Sequence, residues 1–503
     1  MTARCLMVQG TASGVGKSLL TAAFCRVFAR AGLRVAPFKA QNMALNAAVT
    51  ADGREIGRAQ AVQAEAAGVE PTADMNPILL KPEADDRSQV VVLGRALGAM
   101  RFREYRARRA EWAAVIADSL ARLRAAHDLV LIEGAGSPAE INLAADDLSN
   151  MAVARLAGAP VVLVGDIDRG GVFAAFVGTL ALLPPEDRAR VGGLIVNRFR
   201  GDRTILEPGL AEVAARTGVP VLGVVPWLGR GLVAAEDSLD LEAWTPASEA
   251  RLDVAVVRLP HLANFDDVEP LAAEPGVRVR LVTRPAELVG ADLVVLPGSK
   301  STIADLSWLG ARGLDRAVRL AAGLGTPVLG LCGGYQMLGR EVRDPDGVES
   351  SVPAAPGLGL LPVVTTFARV KATARVRVRV SADTGFFGAA AGAEVAGYEI
   401  HMGRSAAADA RPPFVILERN GRAVDEPDGA LSGDGLVAGT YVHGLLGDSR
   451  LRRAVLTWLA RRRGVAVDPR WGGGRSAAAR YDLLADLVAA AVDVKALARL
   501  VGL

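Results

Sequence analysis

The feature that most constrains the fold is an alternation of short apolar runs with segments of helical periodicity. Between Leu6 and Pro226, β-branched runs such as DLVLIEG, PVVLVGD and GGLIVN are separated by stretches that can be helical. Strands buried on both faces have this composition, and helices between them supply the crossovers of a parallel sheet. The pattern restarts near Arg251 with DVAVVRL, VRVRLVT, DLVVLPG and PVLGLCGG. The sequence therefore predicts an α/β protein with two parallel-sheet domains.

Breaks in this pattern suggest the domain boundaries. A stretch containing Pro, Ser and Glu, residues 242–251, separates the two alternating regions. Beyond Ser449 the chain reads as amphipathic helices around a Gly-rich break, which predicts a helical C-terminal tail. We therefore predict a first domain over 1–245, a second over 251–448 and a helical extension over 449–503.

Residues 370–380 have a different period. Apolar side chains occupy the even positions, and Lys, Thr or Arg the odd ones, which predicts a half-buried strand. The basic face fits either a solvated surface or one that meets an anionic substrate.

Composition excludes several classes of function. The chain has 503 residues, 51% of them hydrophobic, which excludes disorder and allows several cores. A net charge of +3, without basic clusters interleaved with aromatic residues, argues against a nucleic-acid partner. The longest uncharged stretch, residues 170–185, is shorter than the roughly 18 apolar residues of a spanning helix. Because the first residues carry no secretory h-region, we expect a soluble, cytoplasmic protein without a membrane partner.

A Gly-rich loop, GTASGVGKS at residues 10–18, follows a predicted strand and opens a predicted helix. In this context backbone N–H groups and the helix N-terminus cradle phosphates. Lys17 would bind the β- and γ-phosphates of ATP, and Ser18 would ligate Mg²⁺. A Gly-rich turn without a ligand is the alternative. The predicted ATP-binding residues of the loop are Gly10, Thr11, Gly14, Gly16, Lys17 and Ser18. Thr11 stands where the standard motif has Gly, and this shifted form resembles the loop of dethiobiotin synthetase and its relatives.

Carboxylates near strand ends are candidates for the metal and for the acceptor substrate. Glu133 ends the apolar strand DLVLIEG, at the sheet edge where α/β proteins bind ligands, and Asp52 and Glu55 lie in the polar loop TADGREIGRAQ. We predict Ser18, Asp52 and Glu133 as the metal site. Asp166 and Asp168 end another strand and, with Glu55, are predicted on the acceptor side, although an isolated acid is more often a surface residue.

The segment TPVLGLCGGYQMLG, residues 326–339, reads as a strand, a sharp turn with Cys332 at its tip, and a helix. This is the thiol form of a nucleophile elbow, and the helix N-terminus would lower the pKa of the thiol. Backbone N–H groups at Gly333 and at Gly298, in the LPGS turn, are predicted to stabilise an oxyanion. A buried structural cysteine is the alternative. Cys5 and Cys25 are too scattered to form a disulfide framework or a zinc site with it.

A thiolate nucleophile needs a base, and the chain has four histidines. His443 follows the predicted strand 436–442 in GLVAGTYVHGLLGD, downstream of the elbow, and is the predicted base. His401, in GYEIHMGRS, is the competitor, with a role on the acceptor-substrate side more expected than catalysis.

At this point the sequence resembles a known family. GLCGGYQMLG with the later YVHG resembles the class I-like glutamine amidotransferase domain. Its fusion to a dethiobiotin-synthetase-like ATPase is similar to the enzymes that amidate cobyrinic and cobyric acid. Segments that resemble the cobyric acid synthase family cover nearly the whole chain: QNMALN, NPILLKP, EGAGSPAEINL, GDIDRGGVFA, NRFRGD, LPGSKST and GYEIHMGRS. LPGSK is the discriminating segment, because the a,c-diamide synthases are expected to carry a PGG-type turn there.

The resemblance implies a glutamine-hydrolysing carbon–nitrogen ligase of cobalamin biosynthesis. Its expected reaction is ATP-dependent amidation of carboxylates b, d, e and g of adenosylcobyrinic acid a,c-diamide through an acyl phosphate, with ATP, Mg²⁺, glutamine and a corrinoid as cofactors and substrates. Asn197 resembles the base-recognition Asn of related ATPases, although it could also cap a strand end.

One departure concerns the residues after the histidine. Many class I amidotransferases have a Glu two residues after the His, whereas this chain has His443-Gly444-Leu445. The resemblance then implies a Cys–His dyad, with slow glutamine hydrolysis in the absence of acceptor. The alternatives are an a,c-diamide synthase and a regulatory P-loop ATPase whose second domain only binds. The oligomeric state stays open.

Overall fold

The computed structural model describes residues 2–84, 86–229, 250–407 and 410–503. These residues form two compact units, each built on a parallel sheet with helices, which confirms the predicted fold class. The first unit holds residues up to Ala44, those from Ile56 to 229, and Arg475–Leu503. The second holds Leu45–Glu55 and residues 250 to Gly474.

The units partition two segments differently from the predicted domain boundaries, which remain predictions. The 45–55 loop belongs with the second unit, and the C-terminal tail is divided at Gly474. The predicted end of the first domain, at residue 245, lies outside the described residues.

The described residues of the first half of the chain, up to 229, form twelve strands. They are β1 Arg4–Gly10, β2 Val35–Phe38, β3 Gln41–Met43, β4 Ala47–Val49, β5 Glu55–Gly57, β6 Ile78–Ala84, β7 Arg87–Val92, β8 Arg95–Arg101, β9 Leu129–Glu133, β10 Val161–Asp166, β11 Val191–Phe199 and β12 Val221–Pro226. Its helices are α1 Lys17–Arg30, α2 Arg58–Ala67, α3 Phe102–Ala107, α4 Arg109–Ala126, α5 Met151–Ala157, α6 Val172–Leu182, α7 Pro185–Arg188 and α8 Arg203–Thr217.

The main sheet of the first unit has the order β12-β11-β10-β1-β9-β2, and all of its pairings are parallel. Strands β9 and β10 are buried along their whole length, as their continuous apolar sequence predicts. A smaller sheet, β3-β6-β7-β8, is formed by strands that come between β2 and β9 along the chain. The carboxyl ends of β1, β9, β10 and β11 carry the predicted nucleotide-site residues at one edge.

In the second half, residues 250–407 and 410–503 form fourteen strands. They are β13 Leu252–Val257, β14 Leu262–Ala263, β15 Val277–Val282, β16 Leu293–Leu296, β17 Gly298–Ser299, β18 Val328–Leu331, β19 Glu341–Arg343, β20 Ala354–Pro356, β21 Val363–Val380, β22 Glu394–Ala407, β23 Phe414–Arg419, β24 Arg422–Asp428, β25 Ala430–Leu431 and β26 Val437–Thr440. Its helices are α9 Glu269–Ala272, α10 Thr302–Arg312, α11 Leu314–Gly323, α12 Gly333–Leu338, α13 Gly385–Gly388, α14 Ser449–Arg463, α15 Ala477–Ala491 and α16 Val494–Leu500.

The second unit contains two large sheets. The first has the order β15-β13-β16-β18-β26, all parallel, with β25 added antiparallel at its edge. The second is largely antiparallel and centres on the long strand β21, which pairs with both β22 and β23. The alternating segment 370–380 lies in β21, with its even-numbered valines from 376 to 380 buried.

The last two helices belong to the first unit. Leu484 and Val488 of α15 and Leu497 of α16 are buried in the same apolar cluster as the core residues of α1. Arg26 of α1 forms a two-point ion pair with Asp482 of α15. Residues 475–503 are therefore part of the core that supports the Gly-rich loop. None of the helices within the described ranges combines the length and the apolar character that crossing a bilayer requires.

Candidate active sites

Cys332 stands at a strained turn between β18 and α12. Its backbone has φ 50° and ψ −107°, in the region that a non-Gly residue rarely adopts. The neighbouring glycines make this turn possible, since a Cβ on Gly334 would lie 1.9 Å from the carbonyl oxygen of Leu296. The Cys332 thiol is buried and lies 3.5 Å from the carbonyl oxygen of Ile400. The elbow therefore has the local geometry of a nucleophile turn.

Parallel strands bring the other predicted residues to the same edge. β18 lies between β16 and β26, so Cys332, the Gly298 turn and the His443 turn all follow adjacent strand ends. A Cβ built on Gly298 would lie 3.6 Å from Cε1 of His443, and one on Gly333 would lie 2.7 Å from the backbone nitrogen of Ser299. The structure thus places the four predicted glutamine-site residues together.

His443 is buried between three side chains. Its Nδ1 lies 2.7 Å from Oδ2 of Asp267, and its ring stacks on Tyr398 with 5.1 Å between centroids. Burial lowers the pKa of His443, but the charge and hydrogen bonds of Asp267 and Cys332 outweigh it and raise that pKa well above its usual value. The cluster therefore favours a protonated imidazole beside the thiol.

Asp267 was not among the residues predicted from sequence. It lies in a short 3₁₀ turn, Phe265–Asp267, which joins β14 to α9. The predicted Cys–His pair thus has a third member, contributed by a segment 176 residues before the histidine. An Asp-Asp pair in a loop carries no recognisable motif, so only the folded chain reveals this contact.

His401 lies close to this site but outside the Cys332–His443–Asp267 cluster. Its ring stacks on Tyr441 with 3.8 Å between centroids, and its Nδ1 contacts the carbonyl oxygen of Gly403 at 2.8 Å. Its Nε2 lies 3.8 Å from Glu399. Because Ile400 contacts the thiol, His401 is one residue from a Cys332 neighbour. It belongs to the second unit, and its predicted role toward the acceptor remains a prediction.

The Gly-rich loop in the first unit has the conformation of a phosphate-binding turn. Gly14 and Gly16 have φ of 70° and 96°, which favours glycine at both positions. Nζ of Lys17 donates to the carbonyl oxygens of Ala12 and Gly136 at 3.0 and 3.1 Å. The Thr11 N–H donates to Val164 O, which anchors the start of the loop on β10. A lysine held across its own loop is positioned to meet an anion there.

Glu133 is the centre of a buried polar cluster. Its Oε1 accepts hydrogen bonds from Ser18 Oγ at 2.9 Å and from Lys39 Nζ at 2.8 Å, and its Oε2 accepts one from Gln63 Nε2 at 2.5 Å. The structure therefore joins two of the three predicted metal ligands, Ser18 and Glu133. Lys39 and Gln63 were not predicted as site residues, although the scarcity of lysine in this chain was a usable signal.

The remaining predicted residues have other contacts. Asp52 contacts Thr50 and Arg54 within its own turn, in the second unit. Glu55 forms a buried ion pair with Lys371, also in the second unit. Neither arrangement tests the predicted roles.

Three further candidates lie at the carboxyl ends of β10 and β11. Asp166 is 3.0 Å from Arg198 and accepts the backbone N–H of Asp168, and Asp168 is 3.2 Å from Arg200. The Asn197 side chain donates to the carbonyl oxygen of Val15 at 2.8 Å, and a Cβ on Gly16 would lie 2.1 Å from its Nδ2. Asn197 therefore supports the Gly-rich loop directly, and its contact with a base remains a prediction.

Comparison with known proteins agrees with this two-site arrangement. Residues 6–233 match the CobQ/CobB/MinD/ParA nucleotide binding domain family, and residues 253–451 match the CobB/CobQ-like glutamine amidotransferase domain family. A solved structure of PurLQS from Thermotoga maritima aligns with 18% identity over 41% of this chain and 99% of its own, with a TM-score of 0.32.

Curated relatives match all or nearly all of the chain. Cobyric acid synthase from Sorangium cellulosum is 57% identical, with 100% of this chain and 99% of the relative covered. The cobyric acid synthase from Moorella thermoacetica is 51% identical over 100% and 98%, and that from Klebsiella pneumoniae is 50% identical over 96% and 95%. The chain therefore belongs to the cobyric acid synthase family and is a glutamine-hydrolysing amidoligase.

Proposed function

We propose that this chain amidates carboxylates b, d, e and g of adenosylcobyrinic acid a,c-diamide, with glutamine as nitrogen donor and ATP as energy source. The observation that carries the proposal is the elbow of Cys332 beside the His443–Asp267 pair, in a chain that matches cobyric acid synthases over its full length. The cluster around Glu133 supports the ATP-dependent half of the reaction.

Glutamine hydrolysis is assigned to Cys332 and His443. With the thiol proton held on Nε2 of His443, the Cys332 thiolate attacks the amide carbon of glutamine. The negative charge on the former carbonyl oxygen is stabilised by backbone N–H groups near Gly298 and Gly333. Collapse breaks the C–N bond while His443 returns its proton to the leaving nitrogen, which gives ammonia and a thioester. Water, deprotonated by His443, then releases glutamate.

Asp267 orients the base in this scheme. Its carboxylate accepts from Nδ1, so that Nε2 is the nitrogen that exchanges a proton with Cys332. The same carboxylate stabilises the imidazolium that forms when the thiolate forms. The site therefore acts as a Cys–His–Asp triad rather than as a dyad.

The second half-reaction is assigned to the first unit. A carboxylate of the corrinoid attacks the γ-phosphorus of ATP, ADP leaves, and an acyl phosphate results. Ammonia then adds to the acyl carbon, and phosphate leaves as the amide forms. Lys17 compensates the charge on the β- and γ-phosphates, and the loop from Gly10 to Ser18 holds them with backbone N–H groups.

The residues around Glu133 fit a magnesium ion. The Ser18 hydroxyl and the Glu133 carboxylate are hard oxygen donors 2.9 Å apart, at the N-terminus of α1 where a nucleotide phosphate would lie. Ser18 would ligate the ion and Glu133 would hold its water ligands. A bound Mg²⁺ would neutralise phosphate charge.

Mass spectrometry of adenosylcobyrinic acid a,c-diamide after incubation with the protein, Mg·ATP and glutamine tests the proposal. We expect four successive amidations. A Cys332→Ala variant should amidate with ammonium but not with glutamine, while a Lys17→Ala variant should fail with both, because ammonium replaces only the first half-reaction.

Two results would reject the assignment. An untouched diamide in the presence of ATP hydrolysis would exclude it, and amidation of cobyrinic acid at two positions would instead identify an a,c-diamide synthase. Retention of glutamine-dependent amidation by Cys332→Ala would remove Cys332 from the mechanism.

A further inference from the structure

Residues 45–55 form a segment of the second unit that is anchored at several points. Glu55 forms an ion pair with Lys371, and the carbonyl oxygen of Val49 accepts from Nε of Arg375 at 2.8 Å. Gly53 packs so closely on Asn420 that a Cβ there would lie 2.5 Å from its Nδ2. These contacts seat the segment on strand β21 and on the turn between β23 and β24.

The remaining anchor leads to the catalytic histidine. The backbone N–H of Ala47 donates to Oδ1 of Asn264 at 3.1 Å. Because an N–H needs an oxygen acceptor, this bond fixes the orientation of the Asn264 amide. Its Nδ2 then faces Nε2 of His443, at 3.4 Å. Asn264 is buried, so water does not replace either contact.

Asn264 is held for this position by its backbone. It has φ 52° and ψ 44°, a left-handed conformation that Asn, Asp and Gly tolerate better than other residues. It precedes the 3₁₀ turn that ends at Asp267, so the same turn supplies a contact to each nitrogen of the His443 ring.

We propose that Asn264 is a positioning residue that links the seating of segment 45–55 to the protonation of His443. While the Ala47 N–H occupies Oδ1, the amide presents N–H groups to Nε2 and opposes protonation of the ring, so a smaller fraction of Cys332 is thiolate. When Ala47 leaves, the amide can turn its oxygen toward Nε2–H, which stabilises the imidazolium and thereby the thiolate. The inference rests on the proposed roles of Cys332 and His443 and adds a control on their proton transfer.

Chain connectivity links segment 45–55 to the residues around Glu133. Segment 45–55 runs directly into α2, whose Gln63 donates to Glu133 in the polar cluster next to Ser18. A change around Glu133 therefore has a short covalent route to Ala47. Seated residues 45–55 would keep glutamine hydrolysis slow until the ATP-dependent half-reaction is prepared.

Charged and titratable groups face His443 from several elements. The 3₁₀ turn contributes Asp267, the elbow contributes Cys332, and β22 contributes Tyr398, which stacks on the ring. Gly298, which has no side chain to titrate, approaches Cε1 of the ring. Asp267 and Cys332 favour the imidazolium, and the Asn264 amide, as oriented by Ala47, opposes it.

The test is the titration of His443 by NMR in the ¹⁵N-histidine-labelled full chain, in a Cys332→Ala background that removes the coupled thiol. Four histidines give few resonances, and His443→Asn assigns the one of interest. Asn264→Gly keeps the left-handed backbone and removes the donor, so the pKa of His443 should rise. Asn264→Asp keeps an acceptor for Ala47 and puts a carboxylate on Nε2, so this pKa should rise further, by about 1 unit or more.

A matched control separates this effect from a general loosening of the segment. Asn420 also has a left-handed backbone, at φ 49°, and it lies against Gly53 of the same segment. Its side-chain oxygen accepts from the backbone of Arg375, on β21, and not from the His443 site. Asn420→Gly should leave the pKa of His443 unchanged from that of the parent, because Asn264 is still present. If the pKa of His443 in Asn264→Gly is equal to or lower than its pKa in the parent, the proposal is wrong.

A second measurement uses the chain with Cys332 intact. Asn264→Gly should raise basal glutamine hydrolysis and reduce the fold stimulation by ATP and acceptor, and an unchanged stimulation ratio would overturn the inferred link. The His443 titration does not depend on activity, so it tests the role of Asn264 separately from the proposed function. Glutamine hydrolysis that persists in Cys332→Ala would reject the proposed function instead.

Discussion

Nδ1 of His443 lies 2.7 Å from Oδ2 of Asp267, and the other oxygen of that carboxylate accepts the backbone N–H of Gly444. One carboxylate thus holds both the imidazole ring and the turn that carries it. In the proposed mechanism this carboxylate does the orienting that a Glu two residues after the histidine does in many class I amidotransferases. It directs Nε2 toward the elbow of Cys332.

Replacing Asp267 by Asn should selectively impair the use of glutamine. The amide would no longer stabilise the imidazolium and could favour the wrong tautomer, so kcat for glutamine-dependent amidation should fall by about 10²-fold or more. Ammonium-dependent amidation should stay near the parent rate, because it bypasses the thiolate. Parallel assays with the two nitrogen sources measure the split.

Asp266→Asn is the matched control for this substitution, since it changes the neighbouring acid of the same turn. We expect it to keep most glutamine-dependent activity. Equal losses with glutamine and ammonium in Asp267→Asn would indicate a folding defect instead of a lost orienting contact.

The pH dependence of stability should reveal Asp428. Burial raises its pKa to about 6, while hydrogen bonds from Thr440 and from the backbone of Tyr441 partly oppose the shift. A carboxyl whose pKa is higher in the folded state destabilises the fold above that pKa, and the cost is relieved as pH falls from about 6 toward the unfolded value. Asp428→Asn should therefore gain stability relative to the parent as pH rises from 5 to 8, by about 1 kcal/mol.

Urea unfolding of parent and variant at pH 5, 6.5 and 8 measures this difference. Asp383→Asn, at an exposed acid of the same unit, should give a difference that does not vary with pH. A constant offset between parent and Asp428→Asn at all three pH values would contradict the shifted ionisation.

The sequence predicted the two parallel sheets because their strands are continuous apolar runs that need cover on both faces. It also predicted the elbow and the Gly-rich loop, since both place chemistry within a few residues of a strand end. Cys332, His443 and Gly298 then meet without any local signal, because adjacent parallel strands end at the same edge. Local patterns were therefore sufficient for residues that follow strands of the central sheets.

Contacts made by loops could not be predicted in this way. Asp267 and Asn264 lie in a short turn without periodicity, and their contacts with His443 span more than 170 positions. The pairing of Glu55 with Lys371 likewise depends on the 45–55 segment lying on β21. The division of the C-terminal tail follows from which core buries each helix, a property of packing and not of amphipathic pattern alone.

Removing one partner of the Lys39–Glu133 ion pair should destabilise the fold more than removing both partners. The two side chains are 7% and 0% exposed, so Glu133→Gln removes a negative charge that stabilises the buried Lys39 ammonium. We expect Glu133→Gln to reduce ATP-dependent amidation at least about 10²-fold and to lower the free energy of unfolding by about 3 kcal/mol. Lys39→Met combined with Glu133→Gln should recover part of the stability but none of the activity.

Glutamine hydrolysis measured without ATP is the internal reference for that pair of variants, because Cys332 belongs to the other unit. Calorimetry gives the two unfolding free energies. Recovery of amidation in the double variant would show that Glu133 acts only through its pairing with Lys39.

The C-terminal helices should matter for ATP use because they complete the core behind α1. Leu484 is fully buried in the cluster that also contains Phe24 and Leu20 of α1. Leu484→Ala should destabilise the first unit by about 2 to 5 kcal/mol, the usual cost of a large-to-small change in a core. Asp486 lies on the same helix as Leu484 and forms an exposed ion pair with Arg30 of α1. Asp486→Ala, which breaks that pair, should cost less than about 1 kcal/mol. Thermal unfolding with and without Mg·ATP resolves the effect, since ATP should raise the unfolding temperature of the affected transition in both variants. A Leu484→Ala chain as stable as Asp486→Ala would mean that the tail covers α1 without supporting it.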